Sequence, residues 1–410
     1  MALLEPVYEI VDPDLYERGG MPHDRFRAMR ERAPVYRHHG HPDFWAVTRY
    51  EDVVHVSRHP ELFSSHERLA LFPEVEPEAR ALQQMMMLNQ DPPDHTRKRS
   101  IVNRGFTPRA INALTDHIRD ICQDLVGEAA GRARAGEEID FVHEIAAPLP
   151  LYVICELLGA PVEDRDKIFD WSNKLIGGDD PELQSDPEVG AQAATELYSY
   201  ANELAARRRE DPRDDIVTRL LRPGPDGSEL SGNEFELFIL LLSVAGNETT
   251  RNAASGGMLA LFEHPDQWAR LLADPSLLPR AVDEIVRWVT PVNMFRRTAM
   301  QDTELGGQEI AAGDKVVVFY GSANRDGEVF TDPDTFDVGR DPNPHIGFGG
   351  GGPHFCLGAH LARLELTVLF QTLLDTMSTI KLTGNVRRLR SSFINGIKEM
   401  PVRLEPHSHG

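Results

Sequence analysis

The stretch SGNEFELFILLLSVAGNETT, Ser231 to Thr250, decides the fold. Ser231 and Glu234 have the S-x-x-E spacing of a capping box, in which each side chain satisfies the other residue's backbone N–H and starts a helix. Nothing breaks the pattern before Pro265, so the spacing predicts a helix running to about His264. Roughly 30 residues at about 1.5 Å each span on the order of 45 Å. The run FELFILLLSVAG is the most apolar in the chain, yet it is too short for a membrane span and continues into the polar NETTRN. A helix this long and this apolar belongs at the centre of a protein.

Working outward, helical patterns dominate: PRAINALTDHIRDICQDLVGEAAGRARAG, PLYVICELLG, GAQAATELYSYANELAARRRE and ARLELTVLFQTLLDTM. Strand-like alternation is confined to FWAVTRY from Phe44, TELGGQEIAAGDKVVVFYG from Thr303 and short pieces near the C-terminus. Gly306-Gly307 reads as a hairpin turn. RPGPDGSELSGNE, Arg222 to Glu234, reads as a loop rather than a linker, because its end caps the central helix. No repeat is visible. The expectation is one mainly α domain over residues 1–410 with a minor β region.

Composition narrows the class. The chain has 410 residues, 41% hydrophobic and 26% charged, as a water-soluble globular protein does. A net charge of −22 argues against nucleic acid as partner. The N-terminal MALLEPVYEIVDPDLYERGG has neither a cationic leader nor an apolar run of signal length, which places the protein in the cytoplasm, without stable membrane insertion. The three cysteines, Cys122, Cys155 and Cys356, form no CxxC and are few for a secreted chain.

Three places carry chemistry. AGNETT, Ala245 to Thr250, sets Gly246, costly inside a helix, beside Glu248, Thr249 and Thr250. It reads either as a local opening with an acid and a hydroxyl for proton delivery or as a kinked helix with solvated polar residues. Glu284 and Arg287 share a helix face, as a surface ion pair or, with Arg340, as a buried cluster that fixes geometry. The third is HIGFGGGGPHFCLG, His345 to Gly358. A phosphate loop would need lysine or a preceding strand, and neither is present. A zinc site lacks partner cysteines, and no motif supports a thiol hydrolase. What remains is a thiolate for a metal that brings its own ligands, as haem does. The following helix LGAHLARLELTVLF would aim N–H groups at the sulfur.

With these residues in view, the chain resembles the cytochrome P-450 family. FGGGGPHFCLGAHLAR looks like its haem loop, AGNETT like its oxygen-activating groove, and Glu284, Arg287 and Arg340 like its E-x-x-R cluster. The resemblance implies a triangular P-450-type helical domain, haem b as cofactor and dioxygen as co-substrate. It implies Cys356 as metal ligand, Phe348 and Gly358 as parts of the cofactor loop, and His95, Arg99, Arg297 and His354 as propionate partners. Ala245 and Gly246 would form the oxygen groove, Thr249 its hydroxyl and Glu248 part of a proton relay. Phe348 precedes Cys356 by eight residues, where most members have seven. That insertion, with MLNQDPPDHTRKRSIVNRGFTPRA, EIVRWVTPV, SANRD and INGIK, is similar to an actinobacterial subgroup that hydroxylates the ends of steroid side chains and methyl-branched lipids.

The implied activity is monooxygenation of a large apolar substrate. Its pocket would be walled by Met87, Leu88, Leu241, Leu242, Val292, Met294, Phe295 and Phe393. Tailoring of a terpenoid or macrolide, and a haem sensor without turnover, are the competing readings. Electrons would come from a separate ferredoxin and ferredoxin reductase. Arg97, Lys98, Arg99, Arg104 and Arg109, with no acid among residues 97–109, and Arg363 would offer a basic docking face.

Overall fold

The computed structural model describes residues 9–40, 43–71, 77–183, 187–224 and 227–407. The first eight residues of the stretch read above for a leader, and Pro225 and Asp226 of the Arg222–Glu234 loop, lie outside this set.

The central helix runs from Gly232 to Glu263, 32 residues, with both halves of the capping box formed. The Ser231 hydroxyl accepts from the Glu234 N–H at 3.3 Å, and the Glu234 carboxylate accepts from the Ser231 N–H at 2.9 Å. The helix stops at His264, ahead of Pro265. Four long helices surround it: Pro148–Leu158, Pro187–Glu210, Leu278–Val289 and Ala359–Thr376. Thr115–Arg134 packs against Ala359–Thr376, and Arg165–Ile176 packs against both Pro187–Glu210 and the central helix. Their apolar faces join in one core that includes Phe141, Ile285, Leu366 and Phe370. Among the described residues no helix is long and apolar enough to cross a membrane.

The β region is minor, and among the described residues its strands form separate small sheets. Its main sheet orders five strands as Val35–His38, Phe44–Val47, Lys315–Phe319, Met294–Ala299 and Phe63–Ser64. The expected strands at Phe44 and Lys315 sit side by side, parallel, with Trp45 opposite Val316. Thr303–Leu305 and Gln308–Ile310 form the expected hairpin, turned by Gly306 and Gly307 at φ of 56° and 76°.

The charge cluster on the Leu278–Val289 helix is buried. Glu284 and Arg287 are 0% exposed and joined at 2.7 and 2.8 Å. Arg340 Nε donates to Glu284 at 3.0 Å. Arg287 also donates to the carbonyls of Asn324, Pro333 and Thr335, and Arg340 to those of Thr331, Asp332 and Thr335. Glu284 further accepts from the Asp337 N–H and from Asn343. The cluster thus pins the irregular segment 331–343 to the Leu278–Val289 helix and leads the chain to the glycine–cysteine loop.

Candidate active site

A chamber opens where the central helix passes the cysteine loop, with about 1470 Å³ of open space including its mouth. Cys356 stands on its floor, reachable through the chamber and walled by protein elsewhere. The Cys356 N–H donates to the Phe348 carbonyl and the Gly349 N–H to the Ile346 carbonyl, both at 2.9 Å, closing the loop on itself. Gly352 has φ of 73°, and a Cβ there would run into the Ser57 carbonyl oxygen. The four-glycine run therefore lies flat against the helix Tyr50–Arg58. Burial pushes the thiol pKa up, against the Gly358 N–H and the Arg99 and Arg363 guanidinium groups, which favour thiolate. Arg363 also covers the Phe348 ring at 4.5 Å and pairs with Asp283 at 2.7 Å.

Beside the cysteine is a polar group of a different kind from the charge cluster. The His95 and His354 rings lie 4.4 Å apart. Burial, then Arg99, pulls His95 down to about 4, and burial, then Arg297, holds His354 well below the usual histidine range, so both are neutral. His354 Nε2 is sealed from solvent and has no hydrogen-bond partner. Buried Arg297 donates to the Arg296 carbonyl at 2.7 Å, and Arg99 to the Phe355 carbonyl at 2.8 Å.

The central helix supplies one wall. Phe238, Leu241, Leu242, Ala245, Thr249 and Ala253 line the chamber, following one another by the steps that keep a helix face. The Thr249 hydroxyl donates back to the Ala245 carbonyl at 2.7 Å while the helix continues through it. Gly246 admits a neighbour: a Cβ there would lie 2.5 Å from Cδ1 of Ile154, which reaches into the chamber from Pro148–Leu158. Glu248 is one residue from Thr249, roughly 100° around the helix. It leaves the chamber face, is 1% exposed, and pairs with Arg251, which in turn bonds Asn173 at 3.2 Å. Burial raises the Glu248 pKa, with Arg251 opposing.

The strand Met294–Ala299 supplies the facing wall, and its pleat sorts the residues. Phe295 and Arg297 reach the chamber. Met294 points the other way, into a cluster with Phe44 and Phe319, and Arg296 bonds the Leu69 carbonyl at 3.2 Å. Phe393 stands edge-on behind Phe295, 5.6 Å between centroids. Met87, Leu88, Leu241, Leu242, Val292 and Phe295 thus line the chamber, whereas Met294 and Phe393 do not. Phe106, Phe238, Ile154 and Glu365 line it as well and were missed from the sequence; Phe238 was open to discovery by stepping back along the helix from Leu242.

Three comparisons bear on this arrangement. A family model described as Cytochrome P450 matches residues 11–389. The chain is 46% identical over 414 residues to a steroid C26-monooxygenase of Rhodococcus jostii (strain RHA1), covering 98% of this chain and 86% of that protein. It is 45% identical over 359 residues to a methyl-branched lipid omega-hydroxylase of Mycobacterium bovis, covering 87% and 83%. Among solved structures, a Mycobacterium marinum cytochrome P450 in complex with pseudoionone superposes with a TM-score of 0.89 at 37% identity, over 98% of this chain and 100% of that one. With a lone thiol under an apolar, helix-walled chamber and these matches over most of its length, the chain belongs to the cytochrome P450 family.

Proposed function

We propose that this chain is a cytoplasmic monooxygenase that holds haem b through Cys356 and hydroxylates the terminal carbon of a steroid side chain or methyl-branched lipid. The observation that carries the reading is the chamber: a thiol on its floor, the Thr249 hydroxyl in its wall, and apolar side chains between. The residues fit the cofactor. Haem b carries two propionate carboxylates, and His354 Nε2, buried without a partner, needs an acceptor or donor there. Arg297, His95 and Arg99 border the same space and would complete the carboxylate set.

When bound, a thiolate-ligated haem supplies the activation of dioxygen for insertion into a C–H bond. With two electrons and two protons, R–H and O₂ give R–OH and water. The chain's own residues do the rest. Gly358 and its helix stabilise the sulfur as thiolate. Thr249 holds a proton-transferring hydroxyl at the wall beside Ala245, while Gly246 lets Ile154 pack against the helix. Glu248, whose burial favours its protonated form, replenishes protons from behind that wall. Met87, Leu88, Leu241, Leu242, Val292 and Phe295 exclude water and guide a hydrocarbon end towards the floor.

The substrate class is supported by the names of the two relatives and by the uncharged upper wall. Electrons would arrive from a separate ferredoxin and its reductase at the cysteine side. The basic face is weaker than its cations suggest, because Arg97 and Lys98 pair with Glu234, Arg104 bonds the Arg222 and Pro223 carbonyls, and Arg363 pairs with Asp283. Arg109 is exposed and Arg99 borders the thiol.

The test is a spectral titration of the haem-loaded protein with cholest-4-en-3-one, phytanic acid and a macrolide, followed by product analysis. The expected result is a high-spin shift with the steroid or the branched acid and a terminal alcohol after reconstitution. A shift with the macrolide alone overturns the substrate class. A reduced, CO-bound form without the thiolate signature overturns the ligation.

A further inference from the structure

A second cavity lies along the C-terminal half of the central helix and shares no lining residue with the chamber. It is enclosed by Gly19–Met21, the last turns of the central helix, the end of Leu278–Val289 and the hairpin that carries Arg388 and Ile397. Its open space, mouth included, is about 750 Å³, within reach of a small molecule.

The polar groups facing this space are under-used. Arg388 is largely sunk in protein, its guanidinium beside Gly20, where a Cβ would lie 3.1 Å from its central carbon. Among the described residues it makes no side-chain hydrogen bond, and the charge that acts on it is the exposed Glu263. The Arg388 N–H donors therefore open on the cavity with no protein acceptor engaged. Two further lining atoms, His23 Nδ1 and Arg325 Nε, are buried with no partner. Arg325 is otherwise committed: it lies over the Trp288 ring at 3.5 Å and pairs with Asp334 at 3.3 Å. Among the described residues that line the cavity, Arg388 is therefore the guanidinium open to a ligand, and a planar fork matches a carboxylate in two hydrogen bonds. A single free cation with Glu263 at the rim disfavours a doubly charged phosphate. Leu259, Val289 and Ile397 offer a compact apolar floor.

We propose that this cavity is a binding site for a small monocarboxylate, held by Arg388 with His23 as second polar contact, separate from the substrate chamber. The site touches Gly256 and Val289, at the seam where a Cβ on Gly256 would lie 2.7 Å from Val289. An occupant braces the end of the helix that continues into Pro291 and Val292 of the chamber.

Benzoate is the probe, titrated into the haem-loaded protein by calorimetry while the Soret band is followed. The expected result is one benzoate per chain with the Soret band unchanged. Affinity should fall at least ten-fold in Arg388→Gln, whose lost side chain made no hydrogen bond in the fold, and rise several-fold in Glu263→Gln. Benzamide, the neutral isostere, and inorganic phosphate should bind at least ten-fold more weakly than benzoate. Absence of benzoate binding up to millimolar concentration overturns the site, as does equal binding by Arg388→Gln or by benzamide. Tighter binding of phosphate overturns the carboxylate assignment, and binding that shifts the Soret band in both variants assigns the response to the chamber instead.

Discussion

Two buried groups of ionisable side chains are built on opposite principles. In the cluster of Glu284, Arg287 and Arg340, both arginines are matched to the one carboxylate and to backbone carbonyls. In the group of His95, Arg297 and His354, a ring nitrogen is buried with no partner and the arginine spends one bond on its own neighbour. The first group is complete within the chain and acts as a lock. The second is incomplete until something with acceptors enters, and acts as a socket. An unsatisfied buried polar atom is costly, and one that faces a cavity invites a ligand to satisfy it.

The largest expected effect tests the lock. Arg287→Leu leaves buried Glu284 with Arg340 as its remaining cation and strips the Asn324 and Pro333 carbonyls of their donor, and should cost about 3–5 kcal/mol, a large share of the stability of a domain. Urea unfolding measures it, and a loss below about 1 kcal/mol would dissolve the distinction between the two groups. Cys356→Ser should abolish turnover and the thiolate signature of the reduced, CO-bound form while the urea midpoint of the haem-free chain barely moves. His354→Leu tests the socket. Haem affinity should fall about ten-fold, near 1.4 kcal/mol, while the haem-free chain is unchanged or stabilised; destabilisation on the scale of Arg287→Leu would make the socket a second lock. Thr249→Ala should lower coupling several-fold, seen as reductant consumed without matching product, with stability altered by about 1 kcal/mol or less.

A pH-dependent effect concerns Glu365, which lines the chamber from the cysteine helix. Burial raises its carboxyl from the ordinary 4.5 to about 8. Between these values the folded chain keeps a proton that the unfolded chain has released, so the group's contribution to stability is full below 4.5 and is lost as pH rises through about 8. Glu365→Gln should flatten that decline, measured as urea midpoints of the haem-free chain at pH 5.5 and 8. An unchanged slope would show that Glu365 is already ionised in the fold.

The fold was legible because its signals are local. Ser231, Glu234 and Pro265 mark both ends of the central helix without reference to any other segment, and Gly306-Gly307 marks the hairpin. The site was legible where a motif states its residues outright, as around Cys356. It was less legible where facing decides. Glu248 and Thr249 are adjacent letters on different sides of a helix, and Met294 and Phe295 are adjacent letters on different sides of a strand. Periodicity alone separates those pairs once the element type is known. Ile154 and Phe106 enter the chamber from distant segments, and no local signal in PLYVICELLG or NRGFTP announces it. The cation count of residues 97–109 misled for the same reason: Glu234 and the Arg222–Pro223 carbonyls that absorb that charge lie more than a hundred residues further along the chain.

The segment 331–343 has no regular secondary structure, and long irregular stretches are where degradation of a folded protein usually begins. Here two arginines bind its carbonyls from beneath, at Thr331, Asp332, Pro333 and Thr335. A protease must draw roughly ten residues into its cleft in extended form, and these are tethered from inside. The stretch should therefore survive limited digestion as well as a helix does, and an enzyme turned over in the cell would be cut elsewhere first.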